Sequence, residues 1–286
     1  MMTAQLIDGK LISAQIKEEA AKEAAQIKAQ GVNPCLAVVL VGNDSASQVY
    51  VNNKKKACEA VGIRSVSYEL GGETSEEELL RLVAQLNADE TVHGILVQMP
   101  LPKQINEEKV ILAIDAKKDV DCFHPMNVGL LHSGGKGFLP CTPAGIIELI
   151  KRSGHTIQGQ NCVIIGRSNI VGKPVAMLLM QENGTVTICH SKTRNLAEVC
   201  RGADIIVSAT GKVNTVTAEM VKAGAIVIDV GMNRNEAGKL CGDVDFEAVK
   251  EIAGAITPVP GGVGPMTIAM LMKNCLVAAK MQNNLM

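Results

Sequence analysis

The sequence predicts an α/β protein of two domains, the second built on a doubly wound parallel sheet. Three observations carry this reading. Short apolar runs alternate with helix-length segments along the whole chain. In the second half the runs at 162–165, 186–189, 205–208 and 225–230 are predominantly apolar, broken only by Thr187, Ser208 and Asp229, and are read as continuous rather than alternating, the pattern of strands covered on both faces. The chain has 286 residues, 47% of them apolar and 27 of them glycine, but Trp 0, Tyr 2 and Phe 3, which suits a sizeable core of small aliphatic side chains.

The elements follow in order. Asp8 is placed to cap a helix carrying Ile12, Ile16, Ala20, Ala24 and Ile27 on one stripe, and Gly31 stops it. A buried strand is expected at 35–41, a helix over about 45–61, a strand near 66–70, a helix opened by a Ser75/Glu78 capping box, and a strand at 94–98. From Asp115 to Pro140 the chain is rich in Gly, Pro, His and Asp with little periodicity, so a long ordered loop is expected there. Thr142-Pro143 reads as an N-cap with proline at the first helical position, launching a helix to about Arg152 that leads into the second domain. A final apolar helix over about 266–281 is expected to return to the first domain. The boundaries that follow are 1–139 plus 266–286 for the first domain and 140–265 for the second, with a cleft between them.

Charge excludes several classes of function. Lys+Arg 28 and Asp+Glu 29 leave a formal net charge of -1, so no global field favours nucleic acid or a membrane surface as partner. The scarcity of aromatics argues against base-stacking RNA recognition. Nine cysteines lie scattered with no C-x-x-C pair, most inside apolar runs, as expected of buried reduced thiols in a cytoplasmic protein and not of a metal site or disulfide frame. The N-terminal residues carry no recognisable secretory, organellar or membrane-spanning signal.

Chemistry enters at the turn Gly166-Arg167-Ser168-Asn169-Ile170-Val171-Gly172-Lys173-Pro174. It lies between a strand and a helix, the arrangement that aims backbone N–H groups at a phosphate. Only the outer two glycines of a G-x-G-x-x-G dinucleotide fingerprint are present, so two readings stand: a phosphate cradle, or glycines that only let a helix pack on a strand. The next strand ends in His190-Ser191-Lys192-Thr193-Arg194. An NAD-preferring Rossmann site carries an acid there to bind the ribose hydroxyls. Its absence, with Arg167 and Ser191 available to a phosphate, favours NADP.

In the helix over 45–61, Tyr50, Lys54, Ala57 or Cys58, and Val61 fall at helical spacing, which puts Lys54 in the apolar stripe, while Lys55 and Lys56 point about 100° and 200° away. An amine held against apolar surface loses hydration of its charged form and can work as a base near neutral pH. The alternative is a lysine whose stem packs on the stripe while its charge reaches water. Gln98 at the end of a buried strand, and Asp119 and Asp121 at the start of the long loop, are polar groups that could converge on it.

At these residues the chain resembles the bifunctional methylenetetrahydrofolate dehydrogenase/cyclohydrolases. The matching segments are Tyr50-Val51-Asn52-Asn53-Lys54-Lys55-Lys56, 94–102, Lys118-Asp119-Val120-Asp121, Pro140-Cys141-Thr142-Pro143, 166–174 and 257–267, and they span nearly the whole chain. The last is the most specific, because a rigid Pro/Gly loop of that length opening a helix has little reason to arise from packing alone.

The resemblance implies a folate-binding catalytic domain followed by a Rossmann-like NADP-binding domain, and two reactions at one site. They are oxidation of 5,10-methylenetetrahydrofolate with hydride passing to NADP, then hydrolysis of the methenyl cation to 10-formyltetrahydrofolate. It implies Lys54 as the catalytic lysine, Gln98 as the amide orienting it, Tyr50 as a ring against the folate, and Asp121 as the carboxylate bonding the pterin. Pro260, Gly261 and Gly262 would shape the folate pocket; Gly166, Arg167, Ser168, Gly172, His190 and Ser191 would serve the cofactor. No metal is implied, and a homodimer with its contact in the cofactor domain is. Where the family usually has glycine after the second Asp of D-V-D, this chain has Cys122, and Met126 and Leu130 stand where tyrosine and arginine are frequent. A monofunctional dehydrogenase and a non-catalytic NADP-binding sensor are the alternatives. Retention of Lys54 and Gln98 argues against the first.

Overall fold

The computed structural model describes residues 3–285. Its backbone divides into two compact units: one holds residues up to Ala14 together with Thr142–Thr267, the other Gln15–Cys141 and the chain from Ile268 onward.

The chain opens with β1 (Gln5–Leu6) and α1 (Gly9–Ala29). Asp8 accepts from the Lys10 and Leu11 N–H groups, so it caps α1, and Gly31 ends it at φ 86. Then come β2 (Cys35–Val41), α2 (Ser45–Val61), β3 (Arg64–Leu70), α3 (Glu76–Ala88), β4 (Gly94–Val97), α4 (Glu107–Ala113) and α5 (Pro125–His132). The three strands form a parallel sheet in the order β3-β2-β4. Every residue of β2 is buried, because it is the central strand and is covered on both faces; Val83 and Leu86 of α3 and Val110 of α4 share the core on one side. Ser75 and Glu78 form the reciprocal capping box the sequence announced.

Three expectations are corrected here. The stretch 115–140 is not a loop throughout, since it contains α5, whose N-cap is His124. Its entry is held by Asp119, which accepts from the Phe123 and His124 N–H groups and from Asn127 Nδ2. Thr142 is not an N-cap, because α6 (Cys141–Arg152) already includes it and its hydroxyl pairs with that of Thr267 at 2.9 Å. Gln5–Leu6, grouped by sequence with residues up to 139, instead pairs in parallel with a strand near residue 255. Two residues are too few to show a period, so nothing in the sequence marked them as a strand.

The remaining elements are β5 (Asn161–Ile165), α7 (Gly172–Gln181), β6 (Thr185–Cys189), α8 (Leu196–Arg201), β7 (Ile205–Ser208), β8 (Ile226–Asp229), the antiparallel pair β9 (Asn233–Arg234) and β10 (Leu240–Cys241), α9 (Phe246–Val249), β11 (Ala255–Ile256) and α10 (Val263–Gln282). Six strands form one parallel sheet in the order β1-β11-β8-β7-β5-β6. The chain passes from β5 outward to β6, then back across β5 to β7. The direction of winding therefore reverses at β5, and the carboxyl end of that strand is the switch point where such sheets bind ligands. No helix among the described residues is long and apolar enough to cross a membrane.

Candidate active site

Lys54 lies on the buried face of α2, with Val51, Cys58 and Val61 as its neighbours on the stripe, and is 8% exposed. The charge does not escape along the helix surface. Nζ donates to Gln98 Oε1 at 2.8 Å, and the same amide donates from Nε2 to Met99 O at 2.7 Å. Gln98 stands one residue beyond β4, where its own N–H still bonds Val39 O at 2.8 Å. Loss of hydration on burial pulls the Lys54 amine below its ordinary pKa, although Asp121 and, to a smaller extent, Cys141 act in the opposite sense.

Asp121 follows the buried segment Lys118-Asp119-Val120, in which Ile95 bridges to Asp119 beside β4. Burial raises its carboxyl above the usual carboxylate range, Asp119 adding to the rise and Lys54 opposing it. The next residue, Cys122, adopts φ 62, a left-handed conformation in which glycine is at ease and a thiol side chain is not. Its Sγ lies 3.3 Å from Phe138 O, which helps hold it there.

The sequence left one participant out. Cys141 packs against the same carboxylate, with Sγ 3.9 Å from Asp121 Oδ1 and 3.5 Å from Val120 O, and burial pushes its thiol well up. Asn274 of α10 completes the support by donating from Nδ2 to Val120 O at 2.7 Å and to Leu139 O at 2.8 Å. Tyr50 departs from expectation in the opposite sense, being 39% exposed and one position off the buried stripe, which runs through Val51. Its ring is therefore accessible rather than packed in the core.

The second group of predicted residues gathers at the switch point of the six-stranded sheet. Gly166 follows β5 at φ 128, and a Cβ there would lie 2.3 Å from Ala209 O. A Cβ on Gly172 would lie 2.3 Å from Gly166 O. Neither position admits a side chain, so the turn closes to bare backbone. Ser168 Oγ accepts from the Val171 and Gly172 N–H groups at 3.1 and 3.2 Å, turning the chain into α7. Gly166 N donates to Cys189 O, so the glycine turn and the turn His190-Ser191 sit side by side at the ends of paired strands. His190 Nδ1 accepts from Lys192 N at 3.1 Å, and Arg167 and Ser191 are exposed.

The turn Pro260-Gly261-Gly262 belongs to the same unit, after β11. Gly261 has φ 111, and a Cβ on Gly262 would lie 2.7 Å from Pro258 O.

Residues 7–121 match the family model for the tetrahydrofolate dehydrogenase/cyclohydrolase catalytic domain, and residues 140–283 match the NAD(P)-binding domain of the same family. The chain belongs to the tetrahydrofolate dehydrogenase/cyclohydrolase family. As a tetrahydrofolate dehydrogenase/cyclohydrolase it is a bifunctional enzyme, a methylenetetrahydrofolate dehydrogenase and a methenyltetrahydrofolate cyclohydrolase. It is 62% identical over 277 residues to the bifunctional protein FolD of Agathobacter rectalis, covering 97% of this chain and 99% of that one. Among solved structures, the bifunctional FolD enzyme of Campylobacter jejuni superposes with a TM-score of 0.94 at 51% identity, covering 97% of this chain and 99% of that one. The Trypanosoma brucei enzyme, solved with NADP cofactor and inhibitor, superposes with a TM-score of 0.93 at 41% identity, covering 98% and 99%.

Proposed function

We propose that this enzyme oxidises 5,10-methylenetetrahydrofolate with NADP as hydride acceptor and hydrolyses the methenyl product to 10-formyltetrahydrofolate, with Lys54 as the base of the second reaction. The observation that carries this reading is the buried Lys54 amine bonded to Gln98. The methenyl substrate is a cation, and an ammonium beside it would be repelled. A neutral amine instead accepts the proton of the attacking water as the tetrahedral adduct forms. Gln98 takes one amine N–H on its Oε1, which leaves the nitrogen lone pair directed elsewhere for that proton.

Asp121 would bond the pterin, and burial holds its carboxyl above the usual carboxylate range. Tyr50 offers an exposed ring for stacking on the folate. Pro260, Gly261 and Gly262 would line the folate pocket. In support, Gly261 sits at φ 111 and Gly262 has no space for a side chain, which keeps that turn tight.

For the dinucleotide, the residues fit. Gly166 and Gly172 let the turn close tightly at a switch point beside the N-terminus of α7, and the turns 166–174 and 190–194, which carry no acid, bring Arg167, Ser168, His190 and Ser191 to the ends of paired strands. When bound there, NADP supplies the hydride acceptor. Hydride transfer needs no protein base, so the protein's part is to hold the two rings in register.

The same reading includes a cytoplasmic homodimer. All nine cysteines are free thiols, as a reducing compartment allows. β6 is an outer strand whose Thr185, Thr187 and Ile188 are exposed, an open edge able to pair with a second copy. Light scattering at micromolar concentration should then give about twice the 30.2 kDa chain mass, and a monomer would remove the dimer.

The enzymatic reading is tested by following methylenetetrahydrofolate oxidation at the nicotinamide band with NADP and with NAD, and methenyl hydrolysis separately. A higher kcat/KM with NADP together with hydrolysis in the same preparation is expected. Equal or greater efficiency with NAD would overturn the cofactor assignment, and cofactor binding without turnover would indicate a sensor.

A further inference from the structure

The six-stranded unit contains a fully buried carboxylate, Asp243, with no part in the chemistry described above. Asp243, 0% exposed, follows β10. Its Oδ2 accepts from Thr210 N at 2.7 Å, Thr210 Oγ1 at 2.9 Å, Ser208 Oγ at 3.2 Å and Gly211 N at 3.3 Å. Its Oδ1 accepts from Lys212 N at 3.0 Å and Asn233 Nδ2 at 2.9 Å. Three consecutive backbone N–H groups thus converge on one carboxylate, filling from within the kind of concavity that in other loops binds an external anion. The 210–212 backbone is thus fixed chiefly by this one side chain.

Asp243 is itself held. Asp229, at the end of β8, accepts from Asp243 N and Val244 N at 2.9 Å and from Gly231 N at 2.9 Å, while its own N–H donates to Thr257 Oγ1 at 2.8 Å. There is no slack in the arrangement: a Cβ on Gly231 would lie 2.2 Å from Asp243 Oδ1, and one on Gly242 would fall on Asp229 Oδ2 at 1.9 Å. The two carboxylates therefore tie together the carboxyl ends of β7, β8 and β11. The loop they fix begins at Ala209, whose carbonyl is the atom that forbids a side chain on Gly166. The 209–212 loop is thus the opposite wall of the switch-point crevice.

We propose that Asp243 is a positioning residue for hydride transfer, its carboxylate holding the 210–212 backbone as a preformed wall against which the nicotinamide nucleotide seats. This rests on the NADP reading given above. It predicts an effect confined to the dinucleotide, because Asp243 and all its partners lie in the six-stranded unit while Lys54 and Gln98 lie in the other.

The test uses the full-length enzyme with Asp243→Asn, which exchanges one acceptor for a donor facing N–H groups. NADP affinity, measured by titration without folate, should fall about tenfold or more, and dehydrogenase kcat should fall with it, because misplacement on the order of 1 Å is costly in hydride transfer. Cyclohydrolase kcat, assayed on supplied methenyltetrahydrofolate without nucleotide, should stay within about twofold. Should Asp243→Asn fail to fold, Ser208→Ala removes one of the four donors to Oδ2, keeps the carboxylate, and should weaken NADP binding by a smaller factor. A folded Asp243→Asn enzyme with unchanged NADP affinity overturns the proposal, as does a parallel loss of both activities, which marks a structural role. If the parent enzyme itself binds no NADP, the cofactor reading has failed and this proposal falls with it.

Discussion

Lys54 Nζ and Gln98 Oε1 lie 2.8 Å apart at the meeting of α2 and the end of β4, and Gln98 cannot turn its amide away without losing its second bond to Met99 O. The amide is therefore oriented with its acceptor toward the lysine. A burial-depressed amine with a fixed hydrogen-bond acceptor is a base with a defined direction, which a freely hydrated lysine is not.

Lys54→Met should abolish methenyl hydrolysis while folate still binds and oxidation persists, measured by separate absorbance assays on the two steps. The same substitution should stabilise the fold. The Lys54 pKa is lowered from 10.5 in the folded state, so its contribution to stability is fully present above 10.5 and is lost as pH falls through the depressed value. At neutral pH the methionine variant lacks that penalty, and its Tm should rise by about 2–4 °C for each kcal/mol regained. Lower stability together with unchanged hydrolysis would contradict both halves.

Gln98→Glu places a carboxylate where the amide oxygen stands. An opposite charge at that distance favours the ammonium form and should raise the Lys54 pKa. Hydrolysis at neutral pH should drop and recover as pH rises, a displacement of the ascending limb of the kcat profile toward higher pH. A profile displaced to lower pH, or not displaced, would show that the amide does not tune the amine.

Much of this was legible in the sequence, and the misses share a cause. β2, β5 and β7 announced themselves as apolar runs, the α3 capping box was spelled out by Ser75 and Glu78, and Lys54 was found because a cation interrupted an apolar stripe. Those signals are local. Asp243 was invisible because its donors lie at 208–212 and 233, and Cys141 because its closeness to Asp121 depends on how the segment 119–141 folds back. Helical spacing alone does not distinguish Tyr50 from Val51, one residue on, and only the folded helix shows that Val51 is the buried one.

Lys118 has a structural role that its motif does not reveal: its buried Nζ donates to Leu86 O, Asn87 O and Asp89 O at 3.0, 2.8 and 2.8 Å and so satisfies carbonyls at the end of α3. Lys118→Met should cost on the order of 3 kcal/mol in urea unfolding, because it strands those acceptors. A cost below about 1 kcal/mol would mean that water replaces the ammonium there.

Gly166→Ala should harm the dinucleotide half selectively. At φ 128, with Ala209 O 2.3 Å from the new Cβ, the backbone must shift, costing about 1–3 kcal/mol of stability. NADP binding should weaken markedly while cyclohydrolase turnover on supplied methenyltetrahydrofolate is retained. Undiminished NADP affinity would show that the glycine turn serves packing alone.

Burial disfavours the ordinary charged state of the Lys54 amine. The most direct test is an NMR titration of the lysine side-chain nitrogens in the parent enzyme, with the Lys54 signal assigned by its loss in Lys54→Met. A Lys54 pKa clearly below 10.5 is expected, and one at or above that value would show that burial does not depress it.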